Sequence, residues 1–311
     1  MRLARKNIMY ITALIIVMIS FLSAPSLSAD GAGTTGASYL TLPVSPKSIA
    51  MGEAGVAVVN PFALFYNPAL LSAYDGEGIA ISHSEWIFDD RYENLSGYTR
   101  VNDKFVLGAG LTFLYRPEIQ GFDGSGVSTE GFTSNNYQAV AGFQYSPAPS
   151  ISTGLNFKYF REKLGDWSAA GMAVDIGLLY RMEEHGFSAG FAVQNIGPDI
   201  KFDSINEPIP LTIRAGGSQS FKMDKDNVII TFAADAVIPR YEDIYISTGT
   251  EIDLYSMLKI RAGYCGQESR PGNGFSMGGG FNVRDYITLN YAFSPYGNLG
   301  SFHRISMHFS R

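Results

Sequence analysis

The segment YITLNYAF, residues 286–293, alternates between large apolar side chains and small or polar ones. One face of an extended chain would carry Ile287, Leu289, Tyr291 and Phe293, and the other Thr288, Asn290 and Ala292. Alternation with a period of two favours a β-strand with one apolar face. The chain is rich in glycine (34 of 311 residues) and aromatic residues (13%) but poor in charged ones (17%). This composition favours strands whose outer face does not meet water.

The same alternation recurs from Gly78 to the end of the chain, and it predicts fourteen strands. They lie near residues 79–86, 92–101, 105–115, 137–146, 151–160, 172–181, 186–195, 210–221, 228–238, 244–252, 258–264, 274–282, 286–293 and 302–310.

The connections between these strands alternate in length. Tight turns such as 102–104 and 283–285 are followed by longer connections, predicted at 116–136, 161–171, 196–209, 265–273 and 294–301, with short exceptions at 87–91 and 239–243. An even number of strands with loops sorted by length is typical of a bacterial outer-membrane β-barrel. The alternative is a large soluble β protein, which has no reason to sort its loops in this way.

The polar face of the strands carries ionisable residues. They would be costly against lipid, so we predict that they face a polar lumen: Lys158, Asp175, Arg214, Asp235, Arg261 and Arg304.

The first 29 residues resemble a secretory signal peptide in layout, with a basic start (Arg2, Arg5, Lys6), an apolar run and a small-residue stretch ending at Ala29. The alternative is an uncleaved anchor. Cleavage would change the formal charge from −6 to −9 by removing three positive charges, which argues against a nucleic-acid partner. The predicted divisions are 1–29 for the signal peptide, 30–78 for an N-terminal segment and 79–311 for the transmembrane barrel.

No catalytic, metal-binding or cofactor-binding constellation is predicted. The single cysteine, Cys265, excludes an internal disulfide and a cysteine-based metal cluster. His83 and His308 could be neighbours, because the first and last strands pair when a barrel closes. The sequence marks no third group to orient them, so we do not expect an enzyme.

The segment SIAMGEAGVAVVNPFALFYNPALLSAYDGEGIAIS, residues 48–82, precedes and enters the first strand. Asn67 is a favourable N-cap and Pro68 fits the first helical position, which predicts a short helix. Met51-Gly52, Ala54-Gly55 and Tyr66-Asn67-Pro68-Ala69 make this segment resemble the N-terminal signature of FadL-type outer-membrane proteins, in particular their smaller PorV/PorQ-type branch.

The resemblance implies a fourteen-stranded antiparallel barrel with an N-terminal hatch in its lumen. It also implies a hatch and ligand path that would include Met51, Gly52, Gly55, Phe62, Phe65, Asn67, Pro68 and Leu70. The expected function is passive transport of hydrophobic compounds such as long-chain fatty acids across the outer membrane. The alternative is a non-transporting accessory of protein secretion and surface attachment. The expected partners are accordingly outer-membrane lipid, hydrophobic small molecules, and secreted proteins or secretion-system components. For the N-terminal segment, the alternative is a periplasmic helix that only nucleates the first strand.

Overall fold

The computed structural model describes residues 35–85, 89–202, 205–223 and 227–311. Fourteen strands of the described residues form a closed antiparallel barrel. The predicted signal peptide and residues 30–34 of the predicted N-terminal segment lie outside the described residues. The described residues contain no helix of sufficient length and apolar character to cross a membrane.

The elements follow one another from the short helices of the N-terminal segment into the strands. The α-helix α1 spans Pro46–Ala50, and 3₁₀ helices span Ser38–Thr41, Ala63–Phe65, Pro68–Ala73, Glu183–His185 and Gly297–Leu299. The strands are β1 Glu77–Glu85, β2 Arg91–Asn102, β3 Phe105–Phe122, β4 Ser128–Ala148, β5 Ile151–Leu164, β6 Trp167–Met182, β7 Phe187–Ile196, β8 Ile200–Phe202, β9 Ile205–Glu207, β10 Thr212–Met223, β11 Val228–Pro239, β12 Tyr245–Leu254, β13 Leu258–Cys265, β14 Phe275–Arg284, β15 Ile287–Pro295 and β16 Ser301–Ser310.

Each barrel strand pairs with its neighbours along the chain, except that β7 pairs with β10. The two strands between them, β8 and β9, form a small separate hairpin. β1 closes the barrel against β16, with Ser82 opposite Ser306. The predicted fourteen-stranded antiparallel barrel is therefore confirmed.

The predicted long connections 116–136 and 161–171 are wrong, because they consist largely of strand. β3 continues to Phe122 and β4 begins at Ser128, which leaves residues 123–127 as their connection. β5 and β6 are separated only by residues 165–166. These extensions carry polar or exposed residues on both faces. A strand that projects beyond the bilayer needs no apolar face, so the alternation fades where backbone pairing still continues.

Apart from these extensions, the barrel wall has an apolar outer face and a polar inner face. In β15 the side chains of Leu289 and Tyr291 are exposed, while Asn290 and Ala292 are buried. The same alternation places large apolar side chains such as Ile81, Phe157 and Ile260 on the outside. This outer face suits lipid. We call the end with connections such as 103–104, 149–150 and 255–257 the turn end, and the end with connections such as 197–211 and 266–274 the loop end.

Candidate functional site

The N-terminal segment, defined here as residues 35–74, contacts inward-facing residues of strands around the barrel and therefore lies inside the lumen. Its first anchor is Asn67, which caps the 3₁₀ helix Pro68–Ala73. The Asn67 Oδ1 accepts from the Ala69 N–H at 3.0 Å, and its Nδ2 donates to the carbonyls of Val56 (2.9 Å) and Leu178 (3.0 Å). One side chain thus joins two parts of the segment to the wall at β6.

A second anchor is the carboxylate of Asp235, which is fully buried on the inner face of β11. Its Oδ2 accepts from the backbone N–H groups of Gly55 at 2.7 Å and Val56 at 2.8 Å. Two adjacent N–H donors on one ionised acceptor make strong, charge-assisted hydrogen bonds. The Gly-Val step is therefore held to the wall through its backbone.

Amide side chains of the wall hold the segment at a third place. Asn156 Nδ2 donates to the Leu64 carbonyl at 2.7 Å, and Gln194 Nε2 donates to the Phe65 carbonyl at 2.8 Å. Behind them, Lys158 Nζ lies 2.7 Å from Asp175 Oδ2 in a fully buried ion pair. The same Asp175 oxygen accepts from Asn156 Nδ2 at 3.0 Å. The ion pair therefore orients the Asn156 amide that donates to the Leu64 carbonyl.

Arg304 of β16 binds the segment near the loop end of the barrel. Its Nη1 donates to the carbonyls of Pro43 at 2.6 Å and Val44 at 2.7 Å, and its guanidinium lies over the Tyr92 ring at 4.5 Å. The Tyr66 hydroxyl accepts from the N–H groups of Val44 and Ser45, each at 3.0 Å. Burial raises the pKa of Tyr66, so this hydroxyl stays neutral at ordinary pH.

A charged network fixes α1. Lys47 Nζ lies 3.0 Å from Glu251 Oε1, and the other oxygen of Glu251 contacts Arg261 Nε at 2.5 Å. Arg261 in turn donates to Asn290 Oδ1 at 2.9 Å. Burial lowers the pKa of Lys47 and the Glu251 charge opposes that effect.

Glycines of the wall allow the segment to lie directly against the strands. A Cβ added at any of nine inward glycines would come within 3.0 Å of the segment. We call these the glycine ring: Gly108, Gly110, Gly142, Gly154, Gly177, Gly190, Gly249, Gly263 and Gly278. Eight of them meet residues 56–71 or the backbone at Met51–Gly52, and Gly278 meets Ala50. The contacts involve β3 to β7 and β12 to β14. The lumen at this level is filled by the segment.

A cavity of about 410 Å³ lies at the loop end, between the segment and the wall. We call it the mouth cavity. Apolar side chains of Tyr39, Leu42, Leu114 and Phe202 line one part of it. Charged and polar groups line the rest, including Asp90, Arg116 and Glu162. The Asp90 carboxylate makes a bidentate contact with the Arg116 guanidinium. The apolar lining belongs to a hydrophobic cluster that continues to Phe62 and Phe65.

The structure places every residue of the predicted path inside the barrel. Met51 and Gly52 pack on the wall at Gly249 and Gly263, Phe62 and Phe65 lie in or against the cluster below the mouth cavity, and Pro68 lies against Gly154. Gly55 and Asn67 make the hydrogen bonds described above, and Leu70 is buried beside Leu179. The six predicted lumen residues, Lys158, Asp175, Arg214, Asp235, Arg261 and Arg304, are all buried.

The predicted proximity of His83 and His308 is wrong. β1 pairs with β16 so that His83 is opposite Ile305 and His308 is opposite Ala80. His83 points outward and lies 2.6 Å from Glu93, whereas His308 points inward toward the Tyr98 hydroxyl at 3.1 Å. Their positions differ by an odd number of steps across the register, which puts them on opposite faces of the wall.

Sequence reasoning missed several residues that hold the segment. Asn156 and Glu251 could have been found, because each lies on the polar face of a predicted strand. Glu53 and Arg270 form a buried ion pair between the segment and the loop that follows β13. Nothing in the local sequence marks this pair, since one member lies in a loop and the two are distant along the chain.

Comparison with known proteins adds the family. The model of the family described as Type IX secretion system protein PorV matches residues 28–238. A search of curated proteins gives no match.

Solved structures share the barrel. The toluene transporter TbuX of Ralstonia pickettii has 12% identity and a TM-score of 0.61, over 86% of this chain and 98% of that chain. The CymD monoaromatic hydrocarbon channel has 15% identity and a TM-score of 0.62, over 86% and 97%. A FadL homologue of Pseudomonas aeruginosa has 10% identity and a TM-score of 0.57, over 86% and 99%. At these identities the likeness shows the fold.

The closed barrel with its apolar outer face is that of a bacterial outer-membrane protein. The family model covers more than half of the 311 residues. This chain therefore belongs to the PorV family.

Proposed function

We propose that the protein is a FadL-like outer-membrane channel that passes hydrophobic compounds passively, with the N-terminal segment as its hatch. The observation that carries the proposal is the mouth cavity. Its volume of about 410 Å³ is within the range of small-molecule sites, and it combines an apolar part with a few polar groups. Its place at the loop end, which faces the outside in barrels of this kind, suits capture of a ligand from the exterior.

An apolar route leads from this cavity toward the hatch. Tyr39, Leu42 and Leu114 line the cavity and also pack in the cluster that contains Phe62. Phe65 packs against the same cluster and against the inner wall at Gly110. A hydrophobic ligand could therefore leave the cavity without crossing a charged layer. Similar structures include a toluene transporter and a monoaromatic hydrocarbon channel, which supports small hydrocarbons as substrates beside long-chain fatty acids.

Passage requires the hatch to move, because the glycine ring and the hydrogen bonds of Asn67 and Asp235 hold it against the wall. The proposal includes export of the chain by residues 1–29, a hatch within residues 30–78, and no catalytic role. The residues of the ligand path would be those of the segment that face the cluster, above all Phe62 and Phe65.

The experiment compares uptake of labelled toluene and a labelled long-chain fatty acid by cells with and without the protein. A Val56→Cys/Ala192→Cys variant provides a reversible lock, because the two side chains pack together where the hatch meets β7. We expect uptake to fall on deletion, and in the variant to fall on oxidation and recover on reduction. Thr250→Cys/Ala262→Cys is the control, since it joins two paired outward positions of the wall. Uptake that does not depend on the protein would refute transport, and uptake unaffected by the formed lock would refute hatch movement.

The second candidate function is a non-transporting accessory role in protein secretion and surface attachment. The match to the family described as Type IX secretion system protein PorV favours it. Under this function, deletion would remove proteins from the cell surface and leave uptake of both labelled compounds unchanged. Purification of the protein from gently solubilised membranes would then recover secreted proteins or secretion-system components in a stable complex. Loss of uptake with a normal surface proteome would exclude this role.

A further inference from the structure

The lining of the mouth cavity carries an excess of negative charge. The carboxylates of Asp90, Glu162 and Glu207 line it, and the cation among the described residues of the lining is Arg116. Asp90 and Arg116 neutralise each other through their bidentate contact. Glu162 and Glu207 make no ion pair with any described residue. Two carboxylates of the lining are therefore left without a paired cation in the described part of the chain.

These two carboxylates lie beside neighbouring residues of the N-terminal segment. Glu162 Oε2 accepts from the Ala37 N–H at 2.9 Å, and a Cβ added to Gly36 would lie 2.9 Å from Glu207 Oε2. Glu162 lies in the extension of β5 beyond residue 160. Burial and the negative charge of Glu207 raise the pKa of Glu162, against the opposing effect of the Ala37 N–H. A cation placed near both carboxylates would relieve this repulsion.

The acceptor groups of this part of the lining are open to a ligand. Glu162 Oε1 and both carboxylate oxygens of Glu207 have no hydrogen-bond partner among the described residues, and none of the three is enclosed by protein. Ser134 of β4 lines the same cavity and is only 8% exposed. Its hydroxyl also lacks a partner among the described residues and is not enclosed. Buried polar groups are normally hydrogen-bonded, so an unpartnered group that the cavity reaches points to a ligand with donors.

The remaining lining defines the body of that ligand. Leu42, Leu114 and Phe202 supply apolar surface, and all three belong to or pack against the cluster that contains Phe62. A cavity of about 150 Å³ is known to hold benzene. The mouth cavity, at about 410 Å³, therefore has room for a ring and a short chain that ends in a polar group.

We propose that the mouth cavity selects hydrophobic amines, with the ammonium group on Glu162 and Glu207 and the apolar body against Leu42, Leu114 and Phe202. An uncharged compound of the same shape binds less tightly, and an anion of the same shape is repelled. Among the compounds considered above, the cavity favours toluene over the anion of a fatty acid. This inference names the substrate class of the mouth cavity, and it rests on the proposed function for the passage of what the cavity binds.

The test is calorimetric titration of the purified protein in uncharged detergent with compounds of similar shape: 2-phenylethylamine hydrochloride, 2-phenylethanol and sodium 3-phenylpropionate. We expect saturable binding of phenylethylammonium with a Kd of about 1 mM or tighter. Binding of 2-phenylethanol should be weaker by about tenfold or more, because it lacks the charge that strengthens the hydrogen bonds. We expect 3-phenylpropionate to bind most weakly.

Variants of Glu207 assign the binding to the mouth cavity. Glu207→Gln keeps the shape of the side chain without its charge, so phenylethylammonium should bind about tenfold more weakly. Glu207→Lys should bind 3-phenylpropionate more tightly than the wild type does, a gain that misfolding would not produce. Glu130→Gln is the matched control, because Glu130 is an exposed carboxylate of the β4 extension that does not line the cavity. Its binding should match the wild type.

The inference is overturned if phenylethylammonium binds no more tightly than 2-phenylethanol, if 3-phenylpropionate binds as well as the amine, or if a folded Glu207→Gln binds like the wild type. Heat-dependent gel mobility checks that each variant is folded. If Glu207→Gln does not fold, the order of the compounds on the wild type and the change of order in Glu207→Lys decide.

Uptake of labelled toluene by cells with and without the protein separates this inference from the proposed function. Protein-dependent uptake together with the wrong order of binding would overturn this inference alone. The expected order of binding without protein-dependent uptake would overturn transport and leave the amine site supported.

Discussion

The clearest prediction concerns Asp235→Ala, which removes the acceptor that holds Gly55 and Val56 to the wall. The carboxylate is fully buried and receives both N–H groups at 2.7 and 2.8 Å. Hydrogen bonds to a charged group contribute about 1.5–3 kcal/mol each, so the two together contribute about 3–6 kcal/mol to closure of this part of the segment. Each 1.4 kcal/mol is about a tenfold factor in an equilibrium, so local opening should become about 10² to 10⁴ times more frequent.

Hydrogen–deuterium exchange of the peptide containing Gly55 and Val56, followed by mass spectrometry, measures this opening. We expect Asp235→Ala to lose protection there, and Asp235→Asn to lose less, because the amide oxygen still accepts but without charge. Asp253→Ala is the matched control: Asp253 lies on the next strand and contacts Lys259 at 3.4 Å. The reasoning is refuted if a folded Asp235→Ala barrel exchanges this peptide at the wild-type rate, or if Asp253→Ala accelerates it equally.

Three further predictions concern stability, measured by thermal or guanidinium unfolding in detergent. Gly263→Ala should lose about 1–3 kcal/mol of unfolding free energy, because its Cβ would overlap the backbone of the segment, whereas Gly97→Ala, whose nearest atom lies at 3.6 Å, should lose much less; equal losses would argue against the glycine ring. Lys158→Met should cost about 3–5 kcal/mol by leaving Asp175 buried without its cation, and Lys158→Met/Asp175→Asn should recover part of the loss; no recovery would mean that the charge is not the cause. Tyr66→Phe should cost about 1–3 kcal/mol of unfolding free energy, because the N–H groups of Val44 and Ser45 lose their acceptor. Burial raises the pKa of Tyr66, so the wild type should lose stability as the pH rises above about 10, the pKa of tyrosine in the unfolded chain. The variant should lose less over the same range, and parallel pH profiles would contradict the assignment.

Much of the barrel could be predicted from the sequence because a lipid-facing wall imposes the same rule on every strand. Residues such as Leu289 and Asn290 alternate because one side meets lipid and the other the lumen. The rule ends where β3 and β4 leave the membrane, and there the prediction failed. The hairpin β8–β9 was also missed, since strands of three residues are too short to show a period.

The site was less predictable, because its contacts join residues far apart in the chain. The sequence predicts that Asn67 caps a helix, and it does cap the 3₁₀ helix. The second role of Asn67, as a donor to the Leu178 carbonyl, depends on where β6 lies and leaves no trace near residue 67. The ion pair of Glu53 and Arg270 is hidden in the same way, because a loop residue has no face from which its direction could be read.

The glycine ring also bears on how the molecule can be assembled. The N-terminal segment contacts strands from both halves of the chain, from Gly108 in β3 to Gly278 in β14, and the wall closes where the first strand, β1, pairs with the last, β16. A sheet that closed first would have to admit the segment into positions where it lies directly against the wall glycines. The segment is therefore best placed to act as an internal template: the growing sheet wraps around it, and the seam closes on a lumen that is already occupied. The residues that fill the lumen of the finished barrel would then also direct the order of its folding. A substitution in the glycine ring would slow insertion of the barrel into the membrane more than it would lower the stability of the mature protein.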